Sequence, residues 1–284
     1  MAKVYDALRR AEAERRKRTD DRAPAVARLG WEPEVSVDVA PRPGRRSFFR
    51  RLWPRRKASA ERTAGDINKR RISLLQPDSY VAEQFRALRG RIDSMERPDR
   101  PLRTITVASA LPGEGKTTAA INLALVTSLS LGRKVLLIDC DMRRARVHGA
   151  LGLRPELGLA DVLTGDAKLE EAILRVEGAN LDVLGSRGQP ANPSELLGSQ
   201  AMRELVEEAA RRYDRVIIDT PAALGLPDAK VVCDLSDGIV LVVRANHTRQ
   251  EDLQTVLEIL DRNRILGMVL NGAVDAKGRY GYHS

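Results

Sequence analysis

The sequence predicts an α/β fold in which a mostly parallel sheet carries helices on both faces. Three observations predict it. From residue 104 onward, short apolar segments alternate with longer helical ones. The short segments are apolar throughout instead of every second residue, as strands buried on both faces are. One strand leads through a glycine-rich turn straight into a helix, at Ser109-Ala110-Leu111-Pro112-Gly113-Glu114-Gly115-Lys116.

Taken in order, residues 1–18 read as a short charged helix. Val4, Leu8 and Ala11 give it only a thin apolar stripe. Residues 19–77 are rich in Arg, Pro, Ala and Asp without a sustained period and read as a disordered basic linker. Within it, Phe48, Phe49, Leu52 and Trp53 sit among arginines, a composition suited to an anionic lipid surface. The globular domain spans 78–274. Val81, Phe85, Leu88 and Ile92 recur at helical spacing at its start. Strands are expected at 104–108, 134–139, Leu181–Leu184, Arg215–Asp219, 238–243 and 266–270. Helices are expected at 116–131, 199–212 and 248–262, with a helical stretch broken by turns over 157–175. Residues 275–284 form a polar tail.

Charge is unevenly placed. Residues 1–77 hold 21 Lys/Arg and 10 Asp/Glu, a net of +11, which leaves 27 basic and 29 acidic residues, a net of −2, for the rest. The overall +9 therefore belongs to the N-terminal arm, and the arm points to an anionic surface. No DNA-reading motif accompanies it, so no nucleic-acid partner is expected. Cys140 and Cys233 lack metal-ligand spacing and imply no disulfide framework, which fits a reducing cytosol. The opening MAKVYDALRRAEAERRKR has no apolar core of a secretory leader. No run reaches the roughly 18 apolar residues that a membrane-spanning helix needs.

The glycine-rich turn has the strand–loop–helix context of a P-loop, and the fold expected is of the P-loop NTPase type. Backbone N–H groups of Pro112-Gly113-Glu114-Gly115-Lys116-Thr117-Thr118 would cradle phosphates, proline excepted, helped by the positive end of the helix. Lys116 would neutralise the β- and γ-phosphates of ATP, and Thr117 would ligate Mg²⁺. Ala110 stands where the usual pattern begins with glycine. Two apolar strands end in acids, one in Asp139-Cys140-Asp141-Met142-Arg143 and one in Asp219-Thr220-Pro221. Strand carboxyl ends are where open α/β sheets bind ligands, so both sets are expected beside the P-loop. Magnesium favours carboxylate, hydroxyl and water oxygens.

This set of motifs resembles the bacterial tyrosine kinases of capsule and exopolysaccharide assembly, over residues 78–284. The resemblance rests on SALPGEGKTT, on Asp139-x-Asp141-x-Arg143 and on Asp219-Thr220-Pro221. A further motif, Glu83-x-x-Arg86-x-x-Arg89, looks like the family's oligomerisation motif. Asn192-Pro193-Ser194-Glu195-Leu196-Leu197 and Gly267-Met268-Val269-Leu270-Asn271 are similar to family segments, and Met1–Leu8 resembles the start of a subgroup tied to exopolysaccharide export. Ala222, where the family often has proline, departs from the pattern.

The resemblance implies transfer of the ATP γ-phosphoryl group to tyrosine, with Lys116, Asp139, Asp141 and Asp219 as catalytic residues. Thr117, Asp141 and Asp219 would hold the metal, and Asp139 would take or orient the tyrosine proton, although Asp139 and Asp141 could exchange roles. Tyr280 and Tyr282 would be the autophosphorylated residues of the tail, fewer than the family's usual cluster. The family also implies a homo-oligomeric ring joined through Glu83, Arg86 and Arg89. Its activator would be a membrane chain-length-determinant or copolymerase protein, which would place the kinase in the cytoplasm at the inner face of the plasma membrane. The rival is a partitioning- or division-type ATPase switch, or an ATP-gated scaffold. Those ATPases usually carry a second lysine early in the P-loop, where this chain has Ala110-Leu111-Pro112. Arg244 and Asn271, after late strands, are candidates for contact with adenine.

Overall fold

The computed structural model describes residues 76–130 and 132–273, all within the unit Thr63–Ser284. The expected N-terminal helix, the basic linker up to residue 75 and the tail with Tyr280 and Tyr282 lie outside the described residues. Among the described residues, no helix is long and apolar enough to cross a membrane.

Helix α1 (Tyr80–Met95) begins where Ser79 accepts the Ala82 N–H with its side chain, at 3.2 Å. Then follow β1 (Thr104–Ser109), α2 (Lys116–Ser128), β2 (Val135–Asp139), α3 (Val147–Leu151), α4 (Leu159–Thr164), α5 (Leu169–Ala172), β3 (Ile173–Arg175) and β4 (Leu181–Leu184). The rest comprises α6 (Pro193–Leu197), α7 (Gln200–Arg212), β5 (Arg215–Asp219), α8 (Asp228–Asp234), β6 (Gly238–Arg244), α9 (Gln250–Ile259), a 3₁₀ turn at Arg262–Arg264 and β7 (Ile265–Asn271).

The seven strands lie in the order β3-β4-β2-β5-β1-β6-β7 and are parallel except for β3. Alternate side chains of each central strand go to opposite faces. Val135, Leu137 and Ile217 pack in one core with the apolar residues of helix α2 from Ala119 to Val126 and with Ile92 of α1. Leu136, Ile138, Val216 and Ile218 pack in the other with α7. Helix α7 shows why: Met202, Leu205, Val206 and Ala209, spaced at 3, 1 and 3, are its buried stripe, and Ser199 caps its start by accepting Met202 N–H. Helix α2 is buried all round from Ala119 to Ser128, because α1 covers the side that the sheet does not.

The expected strands are all present, within a residue or two at their ends. Three expectations are corrected. The stretch 157–175 is two short helices followed by a strand, because Ile173–Arg175 turns back to pair antiparallel with the open edge of β4. The helix expected at 116–131 ends at Ser128. The helix expected at 248–262 ends at Ile259, after which Asp261 accepts the Asn263 N–H and starts the 3₁₀ turn. Short helices α3, α6 and α8 were not expected from the sequence.

Candidate active site

Strand order brings three motifs to one end of the sheet. β1, which feeds the P-loop, lies between β5 and β6, and β2 lies on the other side of β5. Chain winding reverses there, the position at which such sheets bind ligands. Asp139 and Asp219 are directly paired across β2 and β5, and Cys140 N–H donates to the Asp219 carbonyl at 2.8 Å. The segment after Asp219 runs beside the P-loop: Ala223 and Leu224 N–H groups donate to the carbonyls of Ser109 and Ala110.

The P-loop takes the form that its glycines permit. Gly113 and Gly115 have φ of 83° and 100°, in the left-handed region that side chains disfavour. Gly115 is the N-cap of α2, so the first turn of that helix opens toward the loop. A cavity of about 580 Å³ lies over it. Pro112, Gly113, Gly115, Lys116, Thr117 and Thr118 form one wall; Asp141 and Arg143, Arg144 and Arg146 form another; Pro221, Ala222, Leu224 and Leu226 supply apolar surface.

The catalytic candidates occupy different positions. Lys116 Nζ lies 3.4 Å from an Asp141 oxygen, and both side chains are about one-tenth exposed. Asp141 also accepts the Arg144 N–H at 3.1 Å. Asp219 is buried below the cavity wall. Burial raises its carboxyl pKa, while the Lys116 ammonium and the Thr117 hydroxyl pull the other way. Even so, neither Asp219 oxygen receives a hydrogen bond of acceptable geometry. A buried carboxylate left without donors is a fit for a cation or its bound water. Among the described residues no group of three or more His, Cys, Asp or Glu forms a metal cage, so an ion here would take most ligands from phosphate and water.

Asp139 is different. It is fully buried, does not line the cavity, and both its oxygens are engaged. It accepts N–H groups from Asp141, Arg146 and Val147, each at 3.1 Å. Its pKa is raised by burial and then by the charge of Asp219. The carboxylate ties the 140–147 loop to the end of β2 and anchors the start of α3, so its oxygens face that loop.

Arg143 Nε donates to buried Asp228 at 3.0 Å, and its Nη2 donates to Ser194 at 3.1 Å. Ser194 in turn donates to Asp228. This bridge joins the Asp-x-Asp-x-Arg segment to the Asn192–Leu197 segment and to α8. Sequence reading missed Asp228, since nothing marks a lone Asp as the partner of residues 34 and 85 positions away.

Two further sets of candidate residues find partners within the domain. Arg244 and Asn271 contact the P-loop backbone: Arg244 Nη1 donates to Gly113 O at 2.9 Å and Asn271 Nδ2 to Glu114 O at 2.8 Å. In the 83–86–89 motif, Glu83 and Arg86 pair with each other on the surface, and Arg86 also donates to Pro77 O. Arg89 turns into its own domain and donates to Val126 O of α2 at 2.8 Å.

This fold and this loop define a nucleotide-binding P-loop protein. A profile of the AAA domain matches residues 102–265. The chain is 40% identical over 215 residues to tyrosine-protein kinase YwqD of Bacillus subtilis, covering 75% of this chain and 90% of that protein. It is 35% identical over 206 residues to the succinoglycan biosynthesis transport protein ExoP of Rhizobium meliloti, covering 71% of this chain and 26% of that longer protein. Among solved structures, the kinase domain of the Escherichia coli tyrosine kinase ETK matches with a TM-score of 0.67 and 33% identity, over 75% of this chain and 84% of that one. The septum site-determining protein MinD of Pyrococcus horikoshii, complexed with Mg-ADP, matches with a TM-score of 0.51 and 30% identity, over 59% and 69%. The chain belongs to the bacterial tyrosine-protein kinase family.

Proposed function

We propose that this protein is an ATP- and Mg²⁺-dependent tyrosine autokinase that regulates exopolysaccharide or capsule polymerisation and export. The observation that carries the reading is the meeting of Lys116 and Asp141 at one P-loop cleft, with the buried carboxylate of Asp219 beneath it, in a chain of this family. The alternative of a partitioning-type ATPase is not favoured: the MinD fold match is weaker than that of the ETK kinase domain.

Phosphoryl transfer depends mostly on positioning and charge neutralisation. Backbone N–H groups of 113–118 hold the phosphates, and Lys116 leaves Asp141 to meet the β- and γ-oxygens. Thr117 and Asp219 would hold magnesium, which would supply charge neutralisation at the phosphates. The tyrosine oxygen bonds to the γ-phosphorus as the bond to the β–γ bridging oxygen breaks and ADP leaves. Asp141 lines the cavity and is the carboxylate there able to orient the phenol and take its proton. Asp139 positions the loop that carries Asp141. The apolar surface of Pro221, Ala222, Leu224 and Leu226 suits an aromatic ring.

Tyr280 and Tyr282 are the proposed acceptors. Glu83, exposed on α1, and the half-buried Arg86 are proposed to bridge neighbouring subunits of a ring, with Arg89 holding α1 to α2 from within. The arm of residues 1–77 would bind an anionic membrane face beside a membrane chain-length-determinant protein that activates the kinase, at the cytoplasmic side of the plasma membrane.

The test is intact-mass and phosphotyrosine analysis of the purified protein with Mg-ATP, beside Lys116→Met and the Tyr280→Phe/Tyr282→Phe double variant. Phosphate on the wild type alone supports the reading. Absence of phosphotyrosine, with the partner's cytoplasmic segment present, leaves a nucleotide switch without phosphotransfer.

A further inference from the structure

The residue between the two P-loop glycines is Glu114, and its carboxylate faces away from the cavity. It is completely buried. One oxygen accepts the Leu111 N–H at 2.8 Å, closing the loop on itself. The other accepts the hydroxyl of Thr248, itself 7% exposed. Thr248 reaches this position because the chain reverses after β6: Asn246 takes a φ of 59°, and the Arg244 N–H donates back to Thr248 Oγ1 at 2.9 Å. An asparagine tolerates that left-handed conformation better than most residues.

The same turn reaches the loop twice more. Arg244 Nη1 donates to Gly113 O, and Asn271, whose own carbonyl accepts Ala245 N–H, donates to Glu114 O. The Asn271 amide also fills the space beside Gly115, so a Cβ there would collide with it. Two consecutive P-loop residues, Gly113 and Glu114, are thus bonded from the segments that end β6 and β7, and Gly115 is packed against one of them.

We propose that Thr248, Arg244 and Asn271 are positioning residues that hold the P-loop in its phosphate-binding shape before nucleotide arrives. None of them lines the cavity. Each acts through the loop: carbonyls that are held outward leave their N–H groups turned toward the phosphates, and a loop already so arranged binds without an ordering cost. The proposal rests on the nucleotide-site reading above.

The experiment is calorimetric titration of wild type, Thr248→Val, Thr248→Ser and Asn271→Ala with the Mg²⁺ complex of a non-hydrolysable ATP analogue, well below each variant's melting temperature. Removing the hydroxyl that donates to a buried carboxylate oxygen lets the loop relax, and affinity is expected to fall on the order of tenfold in Thr248→Val. Thr248→Ser retains the hydroxyl and should stay within about twofold of wild type, and Asn271→Ala should weaken binding as Thr248→Val does. A purely structural role would lower the melting temperature and leave the affinity of the folded molecules unchanged, and that result overturns the proposal. Failure of the wild type itself to bind would instead overturn the nucleotide-site reading.

Discussion

Asp139 and Asp219 occupy directly paired positions on neighbouring strands, yet three backbone N–H groups bond to the first carboxylate and no hydrogen bond of acceptable geometry reaches the second. Two buried acids one strand apart therefore do different work.

Asp219→Asn should leave the nucleotide-free protein at least as stable as wild type, by up to about 2 kcal/mol, because it removes a buried charge that lacks donors. The stabilisation that Mg-nucleotide gives the wild type should be largely lost. Thermal melts with and without Mg-ADP check both halves; a large loss of stability in the free protein would contradict the assignment.

Asp139→Asn should instead cost about 1–3 kcal/mol, since an amide cannot accept all three N–H groups and turns its own donors toward them. Denaturant titration measures this. Backbone amides of Arg146 and Val147 should lose protection from hydrogen exchange in the same variant.

Asp141→Asn frees Lys116 from its partner. Without magnesium, the variant should bind ATP as tightly as wild type or more tightly, because the lysine no longer leaves a carboxylate to meet phosphate. With magnesium, phosphotransfer should fall by about a hundredfold, the upper range expected when a positioned proton acceptor is removed. Titrations in chelator and in Mg²⁺, followed by a rate assay, separate the two effects.

Arg143→Ala leaves Asp228, 1% exposed, with only Ser194 as partner. Arg143 itself is about one-third exposed, so the loss should be about 1–3 kcal/mol, less than for a fully buried pair. Arg143→Met with Asp228→Asn should recover most of it. A double-mutant cycle by denaturant melts gives the coupling.

Tyr213 provides a pH test away from the cleft. Its buried hydroxyl donates to Asp182 at 2.9 Å, with Lys134 4.4 Å above its ring. Burial, then the bond to Asp182, raises its pKa above the usual phenol value of 10.0. The folded state holds this proton more tightly than the unfolded chain, so the contribution is complete below about pH 10 and is lost as pH rises further. Tyr213→Phe should cost about 1 kcal/mol at pH 7, with the difference shrinking above pH 10. Melting curves across that range decide it.

Much of this was legible in sequence because it is local. The strand ends carrying Asp139, Asp141 and Asp219, the glycines of the loop and the stripe of α7 are each encoded within a few residues. What escaped has two causes. Helices such as Val147–Leu151 and the strand Ile173–Arg175 are too short to show a period, and tertiary neighbours decide them. The braces and bridges, Thr248 on Glu114 and Arg143 on Asp228, join residues 134 and 85 positions apart. Nothing in one sequence pairs them. The sequence offers Glu114 only as a backbone N–H of the phosphate cradle, whereas its side chain is completely buried between the two glycines.

The short antiparallel strand β3 and the longer β7 form the two margins of the sheet, and among the described residues neither is paired on its outer side. β3 has three residues and β7 has seven. An extended segment seeking backbone partners, whether from another molecule or from a misfolded neighbour, therefore finds more of them beside β7. Any guest at that margin would lie next to Asn271, the residue that reaches the P-loop.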